Sequence, residues 1–368
     1  MTARPAMTTK QRWMAAVRMQ PVDRLPFWPK LDGAYARAQA APFRAMPADA
    51  IHDWIGSDKH SWVGGCLRER RARTSAETHT AGDLRRTVYT APGGRMERVD
   101  QFDGPSQSWH PVAFPVRRAT DVRLMVEIVA DVTVDVDHAG VQQAREQMRH
   151  IGESAIVGDG GMGESPLMDW VEWLAGVEMA HYLLADCPAE VEALFDALHR
   201  LILRRTEILV THSPADVLYL TENTSTTLIS PEQYRRYCGR HIGEYARLTN
   251  EAGRPLVLHM CGHLRALLPD LACLPVQAFE AFTSPTLGNT TLCDGRRACP
   301  DKCLIGGTNA MLWTQPAEAI VAQIDRDLED LPHHRGLVIT SAGVMPPCCR
   351  PETIKRVRDW VVQYAARM

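Results

Sequence analysis

At 368 residues, 45% hydrophobic and 23% charged, the chain can bury a full-sized core and lies far from the composition of disordered proteins. Its 41 Lys and Arg against 44 Asp and Glu, a formal net charge of -3, leave no electrostatic footprint for nucleic acid or an anionic membrane. A small molecule or another protein is the expected partner.

Thr8-Thr9-Lys10-Gln11 ahead of WMAAVRM reads as a capping box opening a short amphipathic helix. The N-terminal stretch lacks the apolar region of a secretory signal, and no apolar run reaches the roughly 18 residues of a spanning helix. The expectation is a cytoplasmic protein whose ten cysteines stay reduced and available as metal ligands or nucleophiles. Pro21-Val22-Asp23-Arg24 leads into LPFWPKL, a first strand. Residues 86–99 alternate around Pro92-Gly93-Gly94 and predict a β-hairpin inserted outside the main repeat.

From about residue 150, short apolar strands alternate with long helical stretches: AIVGDG (155–160), VLYLTEN (217–223), PLVLHMCG (255–262), QAFEAF (277–282), CLIGGTN (303–309) and LVITSAG (337–343). Between them, Pro188 sits near the first turn of one helix and Ser230-Pro231-Glu232-Gln233 forms a second capping box. Such alternation predicts an α/β protein with a parallel sheet. Seven strands can be placed, and an eighth must lie between residues 50 and 135 if the sheet closes into a barrel; periodicity alone leaves a closed barrel and an open doubly wound sheet both standing. No repeat, low-complexity stretch or linker divides the chain, so residues 1–368 are expected to form one domain with an N-terminal elaboration.

Leu256–Gly262 carries the sharpest chemical signal, an apolar strand ending in two soft metal ligands two positions apart. Alternate strand residues share a face, so His259 and Cys261 should point the same way at the carboxyl end of a parallel strand, where α/β enzymes keep their sites. A catalytic zinc needs a third protein ligand and an open fourth position. Cys348 and Cys349, a few residues beyond the last strand, are the candidates; Cys293, Cys299 and Cys303 are expected to be structural. Glu222 and Glu280 stand where strands should end, and charge there is costly unless paired, solvated or used. They are the candidate catalytic carboxylates, to orient a substrate or move a proton. Asp159, Asn223 and Asn309 occupy comparable strand ends and are candidate substrate-binding residues. Gly158–Gly163 lacks both GKS/GKT and a well-formed GxGxxG, which excludes nucleotide binding there.

Several stretches in this order together resemble the uroporphyrinogen decarboxylase superfamily, in particular its methyltransferase branch. They are the opening helix with Pro21–Pro26, Leu228–Glu232, Leu258–Gly262, EAFTSPTLGN, and GLVITSAGVMPP followed by PETIK. The resemblance implies a (β/α)₈ TIM barrel. It also implies zinc held by a His-x-Cys pair, here His259 and Cys261, and a corrinoid carried by a partner protein. The branch's distant third cysteine would fall near Gly343 or Val344, so Cys348 or Cys349 is expected to substitute. The decarboxylases' arginine-rich carboxylate clamp corresponds to Pro29–Arg37, which holds too little positive charge for a polycarboxylate. The resemblance thus implies methyl transfer between a small methylated donor or corrinoid and a thiol or corrinoid acceptor. A metal-free decarboxylase of a small acid and a non-catalytic corrinoid- or zinc-binding protein are the alternatives.

Overall fold

A computed structural model describes residues 6–31, 33–104 and 108–368; Asp32, inside the stretch compared with the arginine motif, lies outside them. The first strand, β1 (Phe27–Trp28), falls in the LPFWPKL run, and the eighth that periodicity did not locate is β2 (Lys59–Trp62). Its sequence KHSW carries no apolar signal, because its inward residues are rings with polar edges. An insertion follows: β3 (Leu67–Arg71), β4 (Ser75–Ala81), β5 (Leu84–Ala91), β6 (Gly94–Asp103), β7 (Ser108–Ala113) and β8 (Val132–Val136). Strands β4 to β7 form an antiparallel sheet in sequence order, and β3 pairs with β8. The expected hairpin is its centre, with Ala91 opposite Gly94 across the two-residue turn Pro92–Gly93.

The repeat then runs regularly through β9 (Ala155–Asp159), β10 (Val217–Thr221), β11 (Leu256–His259), β12 (Ala278–Phe282), β13 (Cys303–Gly307) and β14 (Leu337–Thr340). These six, with β1 and β2, make one parallel eight-stranded sheet in the order β1-β14-β13-β12-β11-β10-β9-β2, with helices between successive strands. The architecture is a (β/α)₈ barrel, and every residue of β9, β12 and β13 is buried, as expected for strands covered on both faces. Both anticipated capping boxes form, at Thr8 with Gln11 and at Ser230 with Gln233.

One apolar cluster lies between barrel and helices; a second fills the barrel itself. The inner one joins Trp28, Ile156, Val217, Tyr219, Val257, Ala278, Cys303, Ile305 and Val338 to Trp13, Ala16 and Val17 of the opening helix, Thr9–Val17. That helix closes the amino-terminal end of the barrel, with Lys10 N–H donating to the Glu153 carbonyl just ahead of β9. Among the described residues no helix is long and apolar enough to cross a membrane.

Candidate active site

Strand phase decides which side chains reach the carboxyl-end mouth of the barrel. Val257 and Ala278 face the lumen, so His259 and Glu280, two positions further along β11 and β12, face it as well. The two are partners in the β11–β12 register, which is why their side chains meet: His259 Nδ1 is hydrogen-bonded to Glu280 Oε2. The other Glu280 oxygen accepts from Lys30 Nζ at 2.8 Å, and Lys30 also donates to the Ala342 carbonyl at 3.3 Å. Burial would raise Glu280, but Lys30 and His259 outweigh it and hold the carboxyl at about 2. Burial would likewise lower His259, yet Glu280 and the adjoining Cys261 lift it to about 9.

Cys261 continues the series beyond the strand. Its exposed thiol donates to Asn223 Oδ1 at 3.3 Å, and Asn223 Nδ2 donates to Glu172 Oε2 at 3.1 Å. Gly262 permits this arrangement, since a Cβ there would come within 2.5 Å of Ser225 Cβ on the loop after β10. Backbone strain gathers at the same rim. Of the four described non-glycine residues at positive φ, Asn223 (47°), Ala281 (63°) and Ala342 (62°) stand at the ends of β10, β12 and β14. Such conformations cost of order 1–3 kcal/mol each and persist where the surroundings impose them, often at sites.

Below the rim lies an aromatic floor. Trp28 stacks on His60 with centroids 4.7 Å apart, Trp62 meets Tyr219 at 4.7 Å, and His60 Nε2 is 3.0 Å from the Tyr219 hydroxyl. Burial pushes His60 down to about 3, so its ring is neutral at physiological pH. Lys30 Nζ sits 5.4 Å from the Trp28 ring centre, a cation–π contact that joins the floor to the Glu280 ion pair.

The remaining expected site residues are placed as follows. Glu222 is fully buried and accepts from Ser165 N–H (2.9 Å), Ser165 Oγ (2.6 Å) and Thr224 Oγ1 (3.1 Å). Burial, only partly offset by these donors, raises it to about 7. Asp159 is buried and accepts from Ser213 Oγ at 2.6 Å and Gly161 N–H at 2.9 Å. Asn309 bonds Ser284 Oγ and the Pro285 carbonyl in the wall of a cavity of about 390 Å³ that also includes Met311 and Asp327. Cys348 is exposed; Cys349 is buried, its carbonyl accepting from Tyr35 Oη at 2.7 Å, and burial pushes its thiol up to about 12. Among the described residues no three His, Cys, Asp or Glu side chains stand together as a ready metal-binding group.

Lys30 and Glu172 were not singled out from the sequence. Lys30 had a usable signal, being the first charge after a strand whose end must lie at the mouth. Glu172 had none, because it rides on a π-helical turn, Trp170–Leu174, whose wide register breaks the helical phase. There burial raises its carboxyl to about 7.

The profile of uroporphyrinogen decarboxylase (URO-D) matches residues 173–364, more than half of the chain. A methylated-thiol–coenzyme M methyltransferase of Methanosarcina mazei is 31% identical over 114 residues, so the chain spans about 30% of that relative's length. A solved methyltransferase structure from Methanosarcina mazei superposes with a TM-score of 0.60 at 16% identity, covering 96% of this chain and 98% of that one. The likeness is one of fold.

Proposed function

Because this chain belongs to the uroporphyrinogen decarboxylase family, we propose that it is a zinc-dependent methyltransferase, moving a methyl group between a small methylated donor or corrinoid and a thiol or corrinoid acceptor. The observation that carries the reading is the adjacency of His259 and Cys261 at the mouth with Glu280 on the histidine's Nδ1. Histidines that bind metals regularly give their second nitrogen to a carboxylate, which fixes the tautomer and the ring direction. Here that arrangement leaves His259 Nε2 and the exposed Cys261 sulfur as the two donors. The similarity to a thiol methyltransferase over part of the chain supports the same class of reaction.

The residues present fit zinc as two of the three protein ligands that a catalytic site requires. Exposure favours Cys348 over the buried Cys349 as the third. When bound, zinc stabilises a thiol substrate as its thiolate at neutral pH. The chain's own residues prepare for that. Glu280 accepts the hydrogen bond from His259 Nδ1–H and orients the ring, while Lys30 balances the carboxylate so that it stays charged. Trp28, His60 and Tyr219 close the floor against water, which strengthens these interactions. Glu222 binds Ser165 and Thr224 and so holds the loops after β9 and β10 in place; Asn223 is in reach of a ligand, while Asp159 and Asn309 shape neighbouring loops.

Metal analysis of purified protein should find about one zinc per chain, lost in His259→Ala and Cys261→Ser. Methyl transfer from methylcobalamin to a thiol should proceed and disappear in the same variants. Glu280→Gln should weaken zinc binding by about 10–100-fold, measured by competition with a chelator. A metal-free protein whose turnover survives Cys261→Ser would overturn the proposal, and release of carbon dioxide by that protein would replace it with decarboxylation.

A further inference from the structure

The two outer strands of the antiparallel sheet are built differently. At one edge, β7 carries Pro111, which has no N–H to offer, and its ladder with β6 is irregular between Val99 and Asp100; both features discourage a further strand. At the other edge, β4 (Ser75–Ala81) has no proline, no lysine and an unbroken register with β5, and every residue after Ser75 is exposed. Such an edge is a template for another strand. Which groups it offers follows from the turn. Gly82 and Asp83 form a two-residue link, so Ala81 and Leu84 close the hairpin as a hydrogen-bonded pair. Ala81, His79, Glu77 and Ser75 then bond across to β5, while Thr80, Thr78 and Ala76 turn their N–H and C=O groups outward.

Around Thr78 the outward row is complementary to itself. Placed antiparallel about a two-fold axis at Thr78, two copies oppose Thr78 to Thr78 and Ala76 to Thr80 as hydrogen-bonded pairs. Between these, Glu77 stands opposite His79 of the second copy, in the non-hydrogen-bonded position where side chains approach most closely. Within one strand Glu77 Oε2 is already 3.9 Å from His79 Nε2, so pairing gives each carboxylate one imidazole along its strand and another across. An imidazole has an N–H to donate whether neutral or protonated. Arg86, opposite His79 on β5, is balanced by Glu97 at 2.6 Å. Sliding the pairing by two residues in either direction sets Glu77 against Glu77 or His79 against His79, so the charges select one register.

We propose that β4 is a self-association edge, through which two copies of this chain join antiparallel about Thr78 and merge their four-stranded sheets into one. Seven residues a side are fewer than the about 20–30 of a standard interface, so the association is weak and concentration-dependent.

Sedimentation velocity of the full chain from about 5 to about 500 µM, a range that brackets weak association, tests this. The parent should shift from monomer toward dimer across the series, and hydrogen exchange should show the outward amides of Ala76, Thr78 and Thr80 gaining protection with concentration while those of β7 do not. Thr78→Pro removes the central outward N–H without costing the hairpin a bond, and should stay monomeric. Glu77→Lys sets a lysine against His79 of the second copy, and His79→Glu sets two carboxylates against each other. Each should raise the dissociation constant about tenfold. Mixed in equal amounts, these two variants should associate with each other at least as tightly as the parent does with itself. The introduced lysine then meets the introduced glutamate, and the remaining His79 meets the remaining Glu77. Recovery on mixing cannot come from misfolded chains, so loss of folding in a single variant does not imitate the result. A parent that stays monomeric at the highest concentration overturns the proposal. A dimer that survives Thr78→Pro, or charge variants that do not recover on mixing, overturn it as well, because the contact would then lie elsewhere or in another register.

Discussion

Glu164, on the loop after β9, is held in the folded chain mainly as its acid. Burial first, and the charge of Glu172 second, raise its carboxyl from the usual 4.5 to about 9, although Trp173 Nε1 donates to both oxygens at 3.0 and 3.1 Å. Between those two values the folded protein keeps a proton that the unfolded chain has released, so this group lowers stability progressively as pH rises from about 4.5 to about 9. Glu164→Gln retains an acceptor for Trp173 and removes the titration. Its melting temperature should match the parent at about pH 4 and exceed it by a margin that widens toward about pH 9; a margin independent of pH in thermal melts would contradict the assignment. At this scale the sequence showed what depends on neighbours along the chain. His259 and Cys261 were legible because strand alternation aligns them, and Glu280 because a charge ended an apolar strand. The Lys30–Glu280 pair spans 250 residues and the Glu172–Asn223 pair 51, and no local pattern encodes a partner at such distances.

The antiparallel sheet β4–β7 reaches the mouth through one ionic knot. Asp100 is 1% exposed and accepts from Arg85 at 3.2 Å on β5 and from Arg98 at 2.7 Å on its own strand. The Arg98 guanidinium lies 4.6 Å from the ring centre of Trp173, the residue that donates to Glu164. Asp100→Ala leaves two partly buried guanidinium groups without their carboxylate, and should destabilise this sheet by about 2 kcal/mol. Hydrogen exchange resolves where: amides of β5 to β7 should exchange faster while those of β10 to β14 keep their protection, and uniform acceleration across the barrel would refute a local effect. The hairpin at the sheet's centre was readable from its turn and alternation. Its outer strand β4 was not, because SAETHTA is almost wholly exposed and lacks an apolar face. The same reason hid β2, whose lumen-facing His60 stacks on Trp28 instead of presenting an aliphatic side chain.

Closure of the barrel rests on the junction between β1 and β2, the two ends of the strand order, which share no ladder. Asp58, immediately before β2 and fully buried, bridges them. Its N–H donates to the Phe27 carbonyl at 2.8 Å and its Oδ2 accepts the Phe27 N–H at 2.9 Å. The same carboxylate takes Arg12 of the opening helix at 2.6 Å and Arg24 at 2.7 Å, which gives Pro21–Arg24 and the amino-terminal helix a common purpose in sealing one seam. Removing one partner of a buried ion pair costs about 3–5 kcal/mol, because the other charge stays buried and uncompensated, and Arg12 is only 5% exposed. Asp58→Ala should therefore lose about 3 kcal/mol or more in denaturant unfolding, and Asp58→Asn, which keeps an acceptor for Phe27 but not the charge, should fall between. Because Trp28 ends β1 and Lys30 lies two residues beyond it, the alanine variant should also loosen the floor and the Glu280 ion pair, seen as faster quenching of tryptophan fluorescence by acrylamide under native conditions. Equal unfolding midpoints for the alanine variant and the parent would mean that the aromatic stack of Trp13, Trp28 and His60 closes the seam without the carboxylate.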